Sequence, residues 1–524
     1  MDKFNHQMVK RTLSLLIVSL CIVTASALAD VKLPNVIGSN MVLQRDKPIP
    51  IWGWAGPDEE IKVEFAGQKV GTKADEKGVW MVRLPDMEAG GPYQMTVSGE
   101  NTIELTNILV GEVWVCSGQS NMRMGLGLVN NSSQEIAKAN YPNIRLFDVP
   151  LKTAGSPQQD IESEWKVCSS ENVSTDNIWE GWPKGFSAVA YFFGREIHNK
   201  LNVPVGLIQS SWGGTRIEPW TPPEGFKLVP ELKEMSEKID KANQDYEKAT
   251  EEAVAEYEKW LPPAKDAVEV GESILSPPTW PKHELDSHRQ PAGLYNAMIH
   301  PLVPFAIRGA IWYQGEANLD DGMMYYDKMK AMIGGWRRVW EQGDFPFYFV
   351  QIAPFRYRWG SPRPYRLPKL WEAQTASLAI ANTGMAVTVD ISDLEDIHPK
   401  NKQEVGRRLA LWALAKTYGF DNVVYSGPLY KSMAKEGDKI RISFDHIGSG
   451  LATSNARPPT WFEIAGAEKQ FVEAKAKIEN NTVVVWSDEI AEPVAVRFGW
   501  HEEAQLNLMN KEGLPASAFR TDRW

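Results

Sequence analysis

The stretch Val113-Trp114-Val115-Cys116-Ser117-Gly118-Gln119-Ser120-Asn121-Met122 changes character halfway along. Four apolar residues in a row read as a strand buried on both faces. Small and polar residues follow at once, so the chain leaves the core in a tight turn that carries Ser120. Such a turn exposes a serine hydroxyl and aims backbone N–H groups outward. Taken alone, Gly-Gln-Ser-Asn is also an ordinary turn, and the rest of the chain has to decide between the two readings.

Toward the C-terminus, Val205–Gln209, Ala310–Tyr313, Phe347–Ile352 and Met385–Val389 repeat the short apolar run. Helical segments at 187–201, 323–340, 367–381 and 401–417 alternate with them. This alternation predicts an α/β fold, a parallel sheet with helices on both faces in three layers. Ligands of such sheets bind beyond the carboxyl ends of the strands. Ser120, Gly213-Gly214, Gln314-Gly315-Glu316 and Asp390 each follow one of the strands, so four polar or glycine-rich clusters meet at one edge. The run from Asp390 to His398 places Asp393, Glu395 and Asp396 just before a histidine, in a loop that opens a helix at Asn401-Lys402-Gln403-Glu404. A serine nucleophile needs a base, an orienter for that base and donors for the oxyanion. A histidine preceded by carboxylates at the same edge offers the first two.

The flanks have a different texture. Ile61–Phe65, Trp80–Leu84 and Tyr93–Val97 alternate with period two between turn signals, which predicts a small β-sandwich over residues 30–108. The α/β domain is expected over 109–420. Lys439–Ile442, Asn481–Trp486 and Ala495–Phe498 restore β character, so 421–524 forms a C-terminal β-rich domain. A helical insertion interrupts the middle domain at 222–290. Within it, Met235, Ile239, Ala242, Tyr246, Ala249 and Ala253 form one apolar stripe on a charged helix. Pro262-Pro263 is expected to end that helix, with a loop over 264–290.

Residues 1–29 read as a signal peptide: Lys10-Arg11, an apolar run from Leu13 to Val23, and Ala27-Leu28-Ala29 before Asp30. Secretion or periplasmic export is therefore expected, with no membrane attachment after cleavage. The 524-residue chain has a net charge of −11, and the segment to be removed is itself net positive. That acidity, with no basic tract, speaks against a nucleic-acid partner. No Cys/His cluster has metal-ligand spacing, so neither metal nor cofactor is expected. Cys116 and Cys168 remain in the mature chain, and their pairing is open. Some of the 21 Trp offer faces on which sugar rings stack.

Four ordered blocks carry a resemblance: Gly111–Met122, Ser211-Trp212-Gly213-Gly214-Thr215, Trp312–Asn318 and Asp396-Ile397-His398-Pro399. Leu294–Ile299, Met41–Arg45 and Leu514–Ala516 extend it over nearly the whole mature chain. Together they resemble the sialate O-acetylesterase family of SGNH hydrolases. The resemblance implies an SGNH-like catalytic domain that removes O-acetyl groups from sialic acid or another acetylated sugar or polysaccharide. It implies Ser120 as nucleophile and His398 as base, with Asp396 as orienter and Glu316 as its rival. Asp390 and Glu395 are further candidates for the acid. The Ser120 N–H, an N–H of Gly213 or Gly214 and the Asn318 side chain are implied as oxyanion donors. Gln119, Asn121, Arg216, Gln314, Tyr295 and Asn296 are implied as substrate contacts, Arg216 through a sugar carboxylate. Two other readings compete. A glycoside hydrolase using Glu316 and Asp396 leaves Ser120 and Asn318 without a purpose. A non-catalytic carbohydrate-binding protein leaves the Ser–His pairing without one.

Overall fold

The computed structural model describes residues 30–174, 185–357 and 364–524. The expected signal peptide lies outside the described residues. The central strand is far longer than the apolar run in which it begins: β1 spans Thr102–Gly118, 17 residues. Six more strands join it: β2 (Tyr141–Asp148), β3 (Trp165–Cys168), β4 (Val205–Ser211), β5 (Gly309–Tyr313), β6 (Phe347–Gln351) and β7 (Thr383–Val387). Their order in the sheet is β7-β6-β5-β1-β4-β2-β3. All pairs are parallel except β2–β3. The sheet is thus mixed rather than purely parallel. An antiparallel strand can sit at the edge because it follows β2 directly and needs no crossover helix.

Side-chain alternation sends the two sheet faces to different helices. Trp114 packs on Phe193 of the helix α2 (Ala188–Leu201), and Tyr348 packs on Trp412 of α6 (Lys402–Trp412). Trp312 and Phe347, on the opposite face, pack on Trp336 of α4 (Met324–Trp340). The remaining helices of the site are the single turn α1 (Ser120–Arg123), the insertion helix α3 (Lys233–Val270) and α5 (Arg366–Ala376).

The N-terminal β module is not a bead on a linker. Its strand Gly90–Ser98 pairs antiparallel with the first half of β1, and Val42–Gln44 pairs parallel with the middle. One strand therefore serves both the module and the central sheet, and the boundary expected at residue 108 falls inside it. The junction is fastened by charge. Glu112, fully buried, accepts from Arg45 Nε at 2.5 Å and from Arg308 Nε at 2.6 Å. At the other end of the chain, two four-stranded sheets face each other, with Phe444 of one against Phe519 of the other.

The insertion helix corrects an expectation. Pro262 and Pro263 lie inside α3, which runs 38 residues to Val270. Proline has a helical φ, and although it forfeits its N–H and its ring crowds the carbonyl one turn back, continuing an existing helix is far easier than starting one. The following segment also holds the distal turns: Tyr257 Oη donates to Pro278 O at 2.6 Å and Trp260 Nε1 to Leu275 O at 2.9 Å. The proximal part buries Ile239 and Ala242 against Phe226, Leu232 and Leu285. Among the described residues no helix is long and apolar enough to cross a membrane. Both Cys116 and Cys168 are free and buried.

Replacing Glu112 by Gln keeps the shape but removes the buried counter-charge, leaving Arg45 and Arg308 to share the half-exposed Asp46 at 3.4 and 3.3 Å. We expect a loss of about 3 kcal/mol, by analogy with broken buried ion pairs. Thermal unfolding checks this: a lower midpoint is the expected result, and an unchanged one would mean that Arg45 and Arg308 find other partners.

Candidate active site

The site begins where β1 ends. Gly118 has φ +141°, and a Cβ there would collide with the carbonyl oxygen of Tyr313 at the end of β5. That same oxygen accepts from Gln119 N at 3.0 Å, which turns the chain sharply into α1. Ser120 is the first residue of that turn. The far end of α1 is pinned by Arg123, which donates to Asp148 at 2.7 Å. The β4 end lies alongside: Trp212 N donates to Gly118 O, and a Cβ on Gly213 would sit 3.4 Å from the Ser120 Cβ. Gly214 follows with φ +72°, a conformation that favours glycine. Among the described residues, the backbone N–H groups of Ser120, Gly213 and Gly214 have no intramolecular acceptor.

His398 reaches Ser120 from the loop after β7. Its Nε2 lies 2.9 Å from Ser120 Oγ, and its Nδ1 lies 3.4 Å from Asp396 Oδ1. The same Asp396 oxygen accepts from His398 N at 2.9 Å, so a short loop presents both groups in one geometry. Burial pushes the imidazole pKa down, the nearby Lys402 charge adds to that, and Asp396 opposes both. The resting histidine is therefore held in its neutral, proton-accepting form. Serine, glycine pair and histidine open on one cavity of about 520 Å³, whose wall also includes Glu316 and Arg366. The size is that of small-molecule sites generally.

The other carboxylates have other partners. Glu316 is held beneath the base: its Oε1 accepts from Asn121 Nδ2 at 2.6 Å, and burial pushes its pKa up. Asn121 also donates to Ile397 O at 3.0 Å and accepts from Lys402 Nζ at 2.5 Å. Asp390 forms a two-pronged pair with Arg408. Glu395 pairs with Arg356, which also holds Glu503 of the C-terminal module.

Several expected substrate contacts are structural instead. Asn318 was expected at the oxyanion, yet it is fully buried and its amide is used up. It donates to Glu218 Oε2 at 3.0 Å and to Asp321 Oδ2 at 2.6 Å, and accepts from Ile217 N and Gln314 Nε2. Gln314 is likewise buried, bonded to Gln119 Oε1, Thr215 O and Asn318. Arg216 forks onto Glu218 and Asp321 and donates to Ala317 O, so its guanidinium braces two loops. Lys328 joins this cluster from α4. Burial pushes the Glu218 pKa up, but Lys328, Arg216 and Asn318 outweigh it and bring it down to about 2. Tyr295 is buried, and Asn296 donates to Ala154 O and Gly155 O beside a separate cavity beneath α3. Asn121 is buried as well, so of the expected contacts Gln119 alone lines the catalytic cavity. Three residues of the site were not expected from the sequence: Lys402 beneath it, and Tyr357 and Arg366 on the cavity wall. A lysine at a helix start and an arginine among other basic residues carry no distinctive signal.

Lys402 generates a measurable expectation. It is fully buried, and burial brings its pKa down to about 7 against the pull of Glu316 and Asp396. The groups facing it are Glu316, Asp396, His398 and the Tyr313 ring. Below pH 7 it is charged and disfavours an imidazolium at His398. Lys402→Met removes that charge, so His398 holds its proton to higher pH. The acidic limb of kcat/KM is expected to rise by on the order of half a pH unit. Lys402→Arg, which keeps the charge, should leave the limb in place. An acidic limb that does not move in Lys402→Met would show that the charge is not felt at the base.

Comparisons with known proteins find carbohydrate esterases. A family model described as carbohydrate esterase, sialic acid-specific acetylesterase matches residues 110–255 and 278–415. The sialate O-acetylesterase of Mus musculus is 32% identical over 447 residues, covering 78% of this chain and 78% of that protein. The sialate O-acetylesterase of Homo sapiens is 31% identical over 429 residues, covering 75% and 72%. The crystal structure of a carbohydrate acetylesterase from Xanthomonas citri is similar with a TM-score of 0.78 and 36% identity. It covers 94% of this chain and 100% of that one.

Proposed function

The chain belongs to the sialic acid-specific acetylesterase family of carbohydrate esterases and is a carboxylic ester hydrolase, and from that premise we propose an exported serine esterase that removes O-acetyl groups from sugars through an acetyl-serine intermediate. One observation carries this reading: Ser120 Oγ lies 2.9 Å from His398 Nε2, on the wall of a cavity that also contains Gly213 and Gly214. The helices on both faces of the sheet support a three-layer SGNH-hydrolase-like catalytic domain, and the two flanking β modules support sandwiches.

In the proposed reaction Ser120 Oγ attacks the acetyl carbonyl carbon while His398 Nε2 takes the hydroxyl proton. The negative charge that develops on the carbonyl oxygen is met by the N–H groups of Ser120 and of Gly213 or Gly214. Asp396 stabilises the imidazolium at Nδ1. Collapse breaks the bond to the sugar oxygen, which leaves with the proton from His398. Water then attacks the acetyl-serine, giving its proton to His398, and acetate departs as Ser120 regains its hydrogen. Because the oxyanion donors are backbone groups, they need no reorganisation when charge appears. Export would follow from cleavage before Asp30, and N-terminal sequencing of the secreted protein tests it.

Acetate release from 4-nitrophenyl acetate and from a panel of O-acetylated sugars tests the chemistry. Ser120→Ala and His398→Ala should each lower kcat by about 10⁴ or more. Activity that survives Ser120→Ala would sink the proposal. Asp396→Asn should cost more than Glu316→Gln, on the order of a hundredfold, since Asp396 is the carboxylate at Nδ1. The reverse order in two folded variants would give the orienting role to Glu316.

A further inference from the structure

The catalytic cavity does not end at the reacting ester. A second cavity of about 480 Å³ adjoins it, and Leu319, Asp320 and Arg366 line both. Beyond that shared wall the second cavity is bounded by Tyr365 and Lys369. Tyr365 is 45% exposed, and it stands at the start of α5, where the helix fixes its backbone. Arg366 gives Nη1 to Asp320 Oδ1 at 3.3 Å, while its Nε is buried with no hydrogen-bond partner among the described residues. The catalytic side of the wall holds another unsatisfied group, the buried hydroxyl of Tyr357. Buried polar groups without partners are uncommon in folded proteins and call for a reason.

We propose that the second cavity is a subsite for the sugar ring next to the acetylated one, so that the substrate is an O-acetylated oligosaccharide or polysaccharide rather than a single sugar. This rests on the esterase reading above and extends it. A pyranose has apolar ring faces and a rim of hydroxyls. The Tyr365 ring supplies a flat, amphipathic platform for the face. Asp320 accepts from hydroxyls, and Arg366 and Lys369 donate to them. Arg366, standing between the two cavities, reaches ring substituents on either side. The neighbouring ring thus contributes binding that a free acetyl ester cannot have.

The test compares O-acetylated monosaccharides with disaccharides bearing the same acetyl group, in the xylose, glucose and galactose series, by acetate release. In the wild type, kcat/KM for the disaccharide should exceed that for the monosaccharide by about tenfold in at least one series. Tyr365→Ala should bring this ratio close to one, while Tyr365→Phe, which keeps the ring, should preserve it. A ratio is insensitive to the fraction of enzyme that folds, so partial misfolding does not imitate the effect. A wild-type ratio near one in every series overturns the subsite, and so does a ratio that Tyr365→Ala leaves intact. Hydrolysis of 4-nitrophenyl acetate without release from any sugar overturns the carbohydrate reading, and the subsite with it.

Discussion

The carbonyl oxygen of Tyr313 decides where Ser120 stands. It occupies the space a side chain at position 118 would need, and it takes the N–H of Gln119. Only a glycine lets β1 run this close to the end of β5, and the next residues have no room except outward. Ser120 therefore leaves the sheet at a fixed height and angle. Everything else in the site is built around that position: Gly213 lies against it from β4, and His398 arrives from the loop after β7. Because β1 is shared with the N-terminal module and fastened through Glu112, the constraint is anchored well below the site.

Two buried charged clusters flank the serine and do different work. On the glycine side, Glu218, Asp321, Arg216, Lys328 and Asn318 tie the loop after β4 to the turn after β5. On the base side, Asn121 joins Glu316, Lys402 and the Ile397 carbonyl, which binds the serine turn to the histidine loop. Each cluster links segments more than a hundred residues apart in sequence. Hydrogen-bonded networks of this kind hold the side chains of a site in register, which is what preorganisation requires.

The sheet and its functional edge were legible because apolar runs and helical periodicity are local signals. Four strands and four helices lie close to where the alternation put them, with ends shifted by a few residues, and the fifth strand, β1, contains the expected run but begins far earlier. The serine stood out as a polar residue in the turn beyond a strand, and the histidine through the run of carboxylates that precedes it. What sequence could not convey was the use of polar groups inside the fold. Asn318, Arg216 and Asn296 look like residues waiting for a ligand, but whether an amide is free depends on neighbours brought in by the fold. Asn318 finds four partners from two loops, and that saturation has no trace in the order of residues. The length of β1 was equally hidden, since its first half alternates like an exposed-face strand and its second half is buried throughout. In α3 the double proline outweighed the stripe in the sequence reading, whereas in the fold the packing of the returning chain prevails.

The two thiols carry a last consequence. Cys116 sits in the core strand and Cys168 in the edge strand. Burial raises both, Cys168 to about 12 and Cys116 further still. A thiol that does not ionise neither exchanges with disulfides nor oxidises readily. Cohesion here comes from packing and from buried charge, and the described part of the chain uses no covalent staple. Folding of the described part therefore needs no thiol oxidation, and its two buried thiols respond little to the surrounding redox poise.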